Sequence, residues 1–312
     1  MEARYLELSR LVVEVLPYVA QEPQFALKGG TAINLFERDL PRLSVDIDLT
    51  FLPVTDRDTA IREINAALSR ICKSVDGKSD IVARLSGSEV SRKIICARGG
   101  TTIKIEPNFI LRGTVYPVRM MDDSPSAEEK LGYCRINVLS RAELYGGKFC
   151  AALDRQHPRD LFDVAQFFGG GGTVDDVKGG FIALALGHNR PLHEILAPNM
   201  LDQSETFTSQ FAGMSDVPFT YDEHVATFRR LVADINTSLT REDRERLVAF
   251  TALEADADVL GIPGLEKLPA IIWKRRNLET LRQKDARKFA ENIQSLERHF
   301  AYAPEAPSSL AV

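Results

Sequence analysis

Apolar residues recur at helical spacing near the start of the chain, at Leu6, Leu8, Leu11, Val12, Val15, Leu16 and Val19. Residues 5–20 therefore predict an amphipathic helix that covers one side of a sheet. The run Phe25-Ala26-Leu27 predicts a strand, Thr31 opens a helix as its N-cap, and residues 44–49 alternate as a second strand closed by Pro53. Residues 55–71 return to the helical period, with Ile61, Ile64, Leu68 and Ile71 facing inward. From about 80 to 120 the period becomes two, in segments 81–83, 91–97, 101–109 and 114–120, with Gly87, Gly99-Gly100 and Gly113 as turns. An α/β unit followed by a meander predicts an α+β fold, a small mixed sheet with helices packed on it.

Two helices meet at His157-Pro158. Ser140 and Glu143 form a capping box for the first, and Pro158 occupies the first helical position of the second. Lys148 and Arg155, seven apart, share one helical face, as do Asp160 and Asp163 three apart. Four consecutive glycines, Gly169 to Gly172, read as a flexible connector and the domain boundary, because no Gly-Lys-Ser/Thr follows them as a phosphate loop requires. Residues 1–170 are thus expected to form one domain. Residues 175–300, nearly all helical in pattern (176–187, 191–202, 221–236, 241–254 and 268–300), form a helical C-terminal domain, and the Pro/Ala/Ser-rich tail 301–312 is expected to be disordered.

The bulk numbers narrow the class without naming a function. A chain of 312 residues with 44% apolar and 27% charged residues has an ordinary globular composition. Its net charge of −5 excludes a protein held to nucleic acid by bulk charge, although not one with a local basic surface. Such a stretch exists: Lys274, Arg275, Arg276, Arg282, Lys284, Arg287 and Lys288 lie close together. It is either a solvated helix face or a phosphate-facing stripe for RNA. Cys72, Cys96, Cys134 and Cys150 are far apart with no C-x-x-C pair, which points to reduced thiols and a cytoplasmic location. The N-terminal stretch lacks the basic region of a signal peptide, and no run reaches the length of a membrane span.

The candidate chemistry begins at residues 25–49, FALKGGTAINLFERDLPRLSVDIDL. On a strand, Asp46 and Asp48 leave the same face, and two carboxylates so placed repel unless a cation lies between them. Oxygen ligands of this kind suit Mg²⁺, bound through one or two carboxylates and substrate phosphates. Gly29, Gly30 and Thr31 just before them supply close backbone approach, N–H groups and a hydroxyl for a phosphate. Glu106, in Thr101-Thr102-Ile103-Lys104-Ile105-Glu106, faces with Lys104 and away from Ile103 and Ile105.

Gly-Gly-Thr followed by Arg42-x-Ser44-x-Asp46-x-Asp48 resembles the first motif of the DNA polymerase β-like nucleotidyltransferases. Within that superfamily, LKGGTAINLF, RLSVDIDL and the later LYGGK and DRQHPRDLFD look like the AbiEii/AbiGii (MenT-like) toxin family. The resemblance implies a polymerase β-like mixed sheet followed by a mainly helical domain. It implies two Mg²⁺ ions on Asp46, Asp48 and Glu106, with Glu106 as the third acid from a neighbouring strand. It places Lys148 on the β- and γ-phosphates, and has Arg159, Asp160 and Asp163 organise the site. Lys28, Arg42 and Ser44 are further candidates for the nucleotide site, and Thr31 and Ser44 are candidate phosphoacceptors. The function implied is a toxin of a bacterial toxin–antitoxin or phage-defence pair that moves nucleotides from an NTP to an RNA acceptor, the tRNA 3′ end, and so blocks translation. A cognate antitoxin is the implied partner, with no membrane. Two rivals are weighed against it: an antibiotic-modifying nucleotidyltransferase of the aminoglycoside type, and a catalytically silent binding partner with the same fold.

Overall fold

The structure, a computed structural model, describes residues 1–302. Apart from its first two residues, the tail expected to be disordered lies outside the described residues. The chain divides into two compact units, one of residues 1–144 and 205–219, the other of residues 145–204 and 220 onward.

The first unit is built on a seven-stranded mixed sheet. Its strands are β1 (Phe25–Lys28), β2 (Asp46–Phe51), β3 (Val82–Ser86), β4 (Lys93–Arg98), β5 (Thr101–Asn108), β6 (Arg119–Asp122) and β7 (Arg135–Val138). Their order is β3-β4-β5-β2-β1-β7-β6. The β2–β5 and β1–β7 pairs are parallel; β1–β2, β3–β4, β4–β5 and β6–β7 are antiparallel. Ile47, Leu49, Ile103 and Ile105 point to one face and are at most 1% exposed. Helices α1 (Ala3–Val19) and α2 (Gly29–Ala32) precede β2, and α3 (Arg57–Val75) follows it. Leu11, Val12 and Leu16 of α1 and Ile64, Leu68 and Ile71 of α3 are buried with that apolar face. Asp56 caps α3, accepting from the Asp58 and Thr59 amides, so the helix starts two residues later than its periodicity suggests. Helix α4 (Pro125–Leu131) lies between β6 and β7.

Two local expectations change. The helix after β1 opens at Gly29, not Thr31, and passes directly into a π turn over Ile33–Glu37, marked by the Arg38 amide donating to the Ile33 carbonyl. The predicted strand 114–120 begins only at Arg119. Upstream of it, Glu143 accepts from the Val115 amide and the Thr114 hydroxyl, and these side-chain bonds hold the segment as a loop.

The second unit is helical: α5 (Arg141–Asp154, of which the residues from Tyr145 belong here), α6 (Pro158–Gly169), α7 (Lys178–Leu186) and α8 (Leu192–Leu196). The chain then returns to the first unit with α9 (Ser204–Gln210). There the Leu43 amide donates to the Met214 carbonyl, Arg42 bridges Ser215, and the Glu2 amide donates to the Gly213 carbonyl. It closes in the second unit with α10 (Tyr221–Ser238), α11 (Arg241–Thr251), α12 (Pro269–Lys284) and α13 (Ala286–Tyr302). Thr220 with Glu223 and Thr240 with Asp243 form capping boxes. The single helix expected over 268–300 is broken at Asp285, whose carboxylate accepts from the Lys288 amide and restarts the chain as α13.

The division between units falls near residue 144, not at the glycine run. Gly146 explains why: a Cβ there would lie 2.4 Å from Gly180 C and Phe181 N, so α5 and α7 meet backbone to backbone. The glycine run is no open connector. Gly170 and Gly172 donate to the Gln166 and Phe167 carbonyls, closing the C-terminus of α6. All four cysteines are free, and Cys96, Cys134 and Cys150 are buried. Among the described residues no helix is long and apolar enough to cross a membrane.

The contact at Gly146 sets an expectation. Gly146→Ala must force α5 and α7 apart and is expected to cost about 1–3 kcal/mol in urea unfolding. Gly147→Ala meets only the flexible end of Leu184, at 3.3 Å, and should cost clearly less. Equal losses in the two variants would refute the close packing.

Candidate active site

Asp46 and Asp48 stand on β2, which is hydrogen-bonded to β1 on one side and β5 on the other. Its alternation puts Ile47 and Leu49 in the core and turns both carboxylates to the opposite face, where they are half-buried. Register then decides their neighbours. Asp48 is paired with Lys28 across β1 and with Glu106 across β5, while Asp46 is paired with Lys104. Lys28, Asp48 and Glu106 thus form one row across three strands, about 4.8 Å between neighbours.

The turn after β1 is shaped around this row. Gly29 has φ +71°, and a Cβ there would lie 2.5 Å from Asp48 Oδ2. Only glycine leaves the backbone free to pass so close to that carboxylate. Gly30 is equally constrained from below, where a Cβ would lie 2.5 Å from an Arg42 guanidinium nitrogen and 3.2 Å from Ser44 Oγ. Arg42 is 2% exposed and donates to the Leu43 carbonyl; Ser44 is buried, with its carbonyl accepting from Ser9. Asn34 Nδ2 donates to the Gly30 carbonyl at 2.9 Å and steadies the turn.

Thr31 does not present its hydroxyl to a ligand. It is 1% exposed, lies 2.9 Å from Ser44 Oγ, and donates to the Asp46 carbonyl. Its work is to tie α2 to the start of β2. Burial also argues against Thr31 and Ser44 as phosphoacceptors in this conformation.

Glu106 occupies the neighbouring position on β5, but its carboxylate is held by Lys93 at 2.9 Å. Among the described residues no three His, Cys, Asp or Glu side chains converge as metal ligands. Asp46 and Asp48 fit the donor set of Mg²⁺, which takes one or two carboxylates together with substrate phosphates. A second ion would require Glu106 to leave Lys93. Sequence reasoning missed Lys93, although its position was readable. Counted outward from the Gly99-Gly100 turn, the β4–β5 register from Arg98↔Thr101 to Ile94↔Ile105 puts Lys93 opposite Glu106 at the next step.

In the second unit Lys148, Asp160 and Asp163 form a separate cluster. Lys148 is 6% exposed, and its Nζ lies 2.7 Å from Asp160 and 2.9 Å from Asp163, each about 1% exposed. Arg155 adds a second cation at 2.7 Å from Asp160. Burial works against the Asp160 charge, yet Lys148 and Arg155 beside it hold its carboxyl well below the usual carboxylate range. Lys148 therefore does not stand open to a triphosphate here, since contact would require it to abandon two buried carboxylates. His157 caps α6, its Nδ1 accepting from the amide of half-buried Arg159.

The basic stretch is also partly consumed. Lys274 turns inward to the His188 and Arg190 carbonyls, Arg275 pairs with Asp256 and Glu279, and Arg287 pairs with Glu291.

Lys148→Met removes the cation set between two buried carboxylates and is expected to cost about 3–5 kcal/mol in urea unfolding. Adding Asp163→Asn should recover part of the loss. The depressed pKa of Asp160 contributes stability that is present above the ordinary carboxylate pKa and lost as pH falls through the folded-state value. The wild type should therefore weaken on acidification, and Lys148→Met should weaken less. A variant as stable as wild type at neutral pH would overturn the burial argument.

No protein with a curated description matches the sequence. The chain is similar in fold to MenT4, a nucleotidyltransferase toxin from Mycobacterium tuberculosis, at TM-score 0.58 and 15% identity over 95% of each chain. A structure of the GLD-2/RNP-8 complex matches 75% of this chain and 80% of that one at 13% identity, but its TM-score of 0.26 carries no argument. The family model described as nucleotidyl transferase AbiEii toxin, type IV toxin–antitoxin system, matches residues 10–260, most of the chain. With that match over both the Gly29-to-Asp48 stretch and the Lys148 helices, the chain belongs to the AbiEii nucleotidyltransferase toxin family.

Proposed function

We propose that this toxin transfers a nucleotide from an NTP to an RNA acceptor, the 3′ end of tRNA, in the bacterial cytoplasm and with Mg²⁺ on Asp46 and Asp48. The observation that carries the reading is the Gly29 backbone lying against Asp48, two carboxylates and a Cβ-free approach on one sheet face. Mg²⁺, when bound there, would neutralise the triphosphate and polarise the α-phosphorus for in-line attack.

The chain's own groups supply the rest. Gly29 and Gly30 open α2, and the first amides of a helix lack intrahelical acceptors, so they are suited to phosphate oxygens. Lys28, in register with Asp48, brings a cation to the same row. The acceptor hydroxyl oxygen forms the new bond to the α-phosphorus, the bond to the β-phosphate oxygen breaks, and pyrophosphate leaves. Glu106, once released by Lys93, takes the hydroxyl proton. Lys148, Asp160 and Asp163 act as the buried charge network that holds α5 on α6, and Arg159 sits at the start of that second helix. The cognate antitoxin and a phage-defence setting belong to the same reading.

Labelled NTPs offered with total tRNA, and separately with an aminoglycoside, test the acceptor class; label on the aminoglycoside alone would sink the RNA reading. Asp48→Asn is expected to lower transfer by about 100-fold or more while leaving the circular dichroism spectrum unchanged. Gly29→Ala, which pushes on Asp48 without removing it, should lower transfer by about 100-fold through misplacement. Wild-type transfer in either variant would remove this face from the chemistry.

A further inference from the structure

The helical unit holds a groove that the reaction above does not use. It has a volume of about 830 Å³, within the range of binding sites, and lies among α8, α10 and α13. His193 and Glu194 come from α8; Arg229 and Asn236 from α10; Ser295, Arg298 and His299 from α13. The helical period places these groups together. Arg229 and Asn236 are two turns apart on one face, and Ser295, Arg298 and His299 stand at i, i+3 and i+4.

We propose that this groove binds the phosphodiester backbone of the RNA acceptor, which deepens the RNA reading above and rests on it. Two guanidinium groups face one carboxylate among the lining residues. Arg229 is exposed and has no ion-pair or hydrogen-bond partner among the described residues. Among the described residues Arg298 donates to the Gln294 carbonyl and to Ser295 Oγ, both at 3.2 Å and both on its own helix, and meets no carboxylate. Several other exposed arginines of the unit are paired, Arg230 with Asp234, Arg241 with Glu245 and Arg246 with Glu242, whereas the two guanidinium groups of the groove meet no carboxylate among the described residues.

Two imidazoles join the guanidinium groups in the lining. Burial lowers the pKa of His193, with Glu194 opposing and Arg298 adding to the fall. Burial lowers that of His299 as well, and Arg244 and His193 add to it. His299 Nε2 lies 2.6 Å from Asn236 Oδ1. Such a set of cations with amide and hydroxyl groups between them suits phosphate oxygens.

Composition separates a strand of RNA from a single nucleotide. Among the described residues no Phe, Tyr or Trp lines the groove, so they offer no aromatic platform on which a base would stack. Its cations stand on two different helices, and a diester backbone carries one charge per nucleotide to meet them. Contacts of this kind position a nucleic acid without reading its sequence.

Fluorescence anisotropy of a short labelled RNA strand, titrated with the full chain without NTP over a series of salt concentrations, tests the assignment. Arg229→Ala and Arg298→Ala should each lower the magnitude of the slope of log affinity against log salt by about 0.7, and the double variant by about 1.4. The double variant should bind at least about tenfold more weakly at low salt. Arg246→Ala, removing a cation already paired with Glu242, serves as control, and thermal melting verifies that each variant is folded. Unchanged slopes in folded variants would overturn the proposal. So would displacement of the RNA by inorganic phosphate at an equal phosphate concentration and fixed ionic strength, which marks a simple anion site. Transfer to RNA is measured separately. Transfer with no effect of the arginines removes the groove and keeps the RNA reading; arginine-dependent binding with no transfer keeps the groove and removes that reading.

Discussion

A strand hydrogen-bonded on both sides cannot turn its side chains to another face without breaking two ladders, and β2 is such a strand. Its core face is filled by Ile47 and Leu49, so the direction of Asp46 and Asp48 is set by apolar burial on the other side. Slipping the strand by one residue would bury both carboxylates and expose the two apolar chains. The shared direction of the two acids is therefore built into the packing. What surrounds them follows: Lys28 and Glu106 in the same row, and a backbone at Gly29 stripped of its side chain where Asp48 needs space.

The two units treat charge in opposite ways. On the sheet the acids remain at a half-buried surface, where a ligand can meet them. In the helical unit Asp160 and Asp163 are almost wholly buried and are answered from within the unit, by Lys148 between them and Arg155 at the edge. The first arrangement keeps its acids within reach of a ligand. The second pairs them internally, and so reads as architecture for the α5–α6 hairpin. Charge identity alone does not separate the cases; burial and pairing do.

That difference explains how far the chain could be read in advance. The period-two strands, the faces of Asp46, Asp48 and Glu106, and the shared faces of Lys148 with Arg155 and of Asp160 with Asp163 are all legible, because each depends on local geometry alone. The use of Thr31 as a buried tie, the capture of Glu106 by Lys93 and the enclosure of Lys148 are not, since each depends on a partner in another element. The Gly169–Gly172 run misleads for a related reason: glycine allows flexibility but also permits the closed helix end found here. Helices α10 and α11 are visible from their periods and α12 with α13 as a single run, whereas the groove among α8, α10 and α13 needs three elements that sequence does not align.

The excursion of residues 205–219 into the first unit has a bearing on biosynthesis. Arg42, under the glycine turn, gains its backbone bridge from Ser215, and Leu43 gains a carbonyl from Met214. A ribosome finishes every strand of the sheet long before it adds those partners. The nascent toxin thus passes through a stage in which its acids are already translated but the loop bracing the glycine turn has yet to be added. Full assembly of that turn waits on roughly the last third of translation.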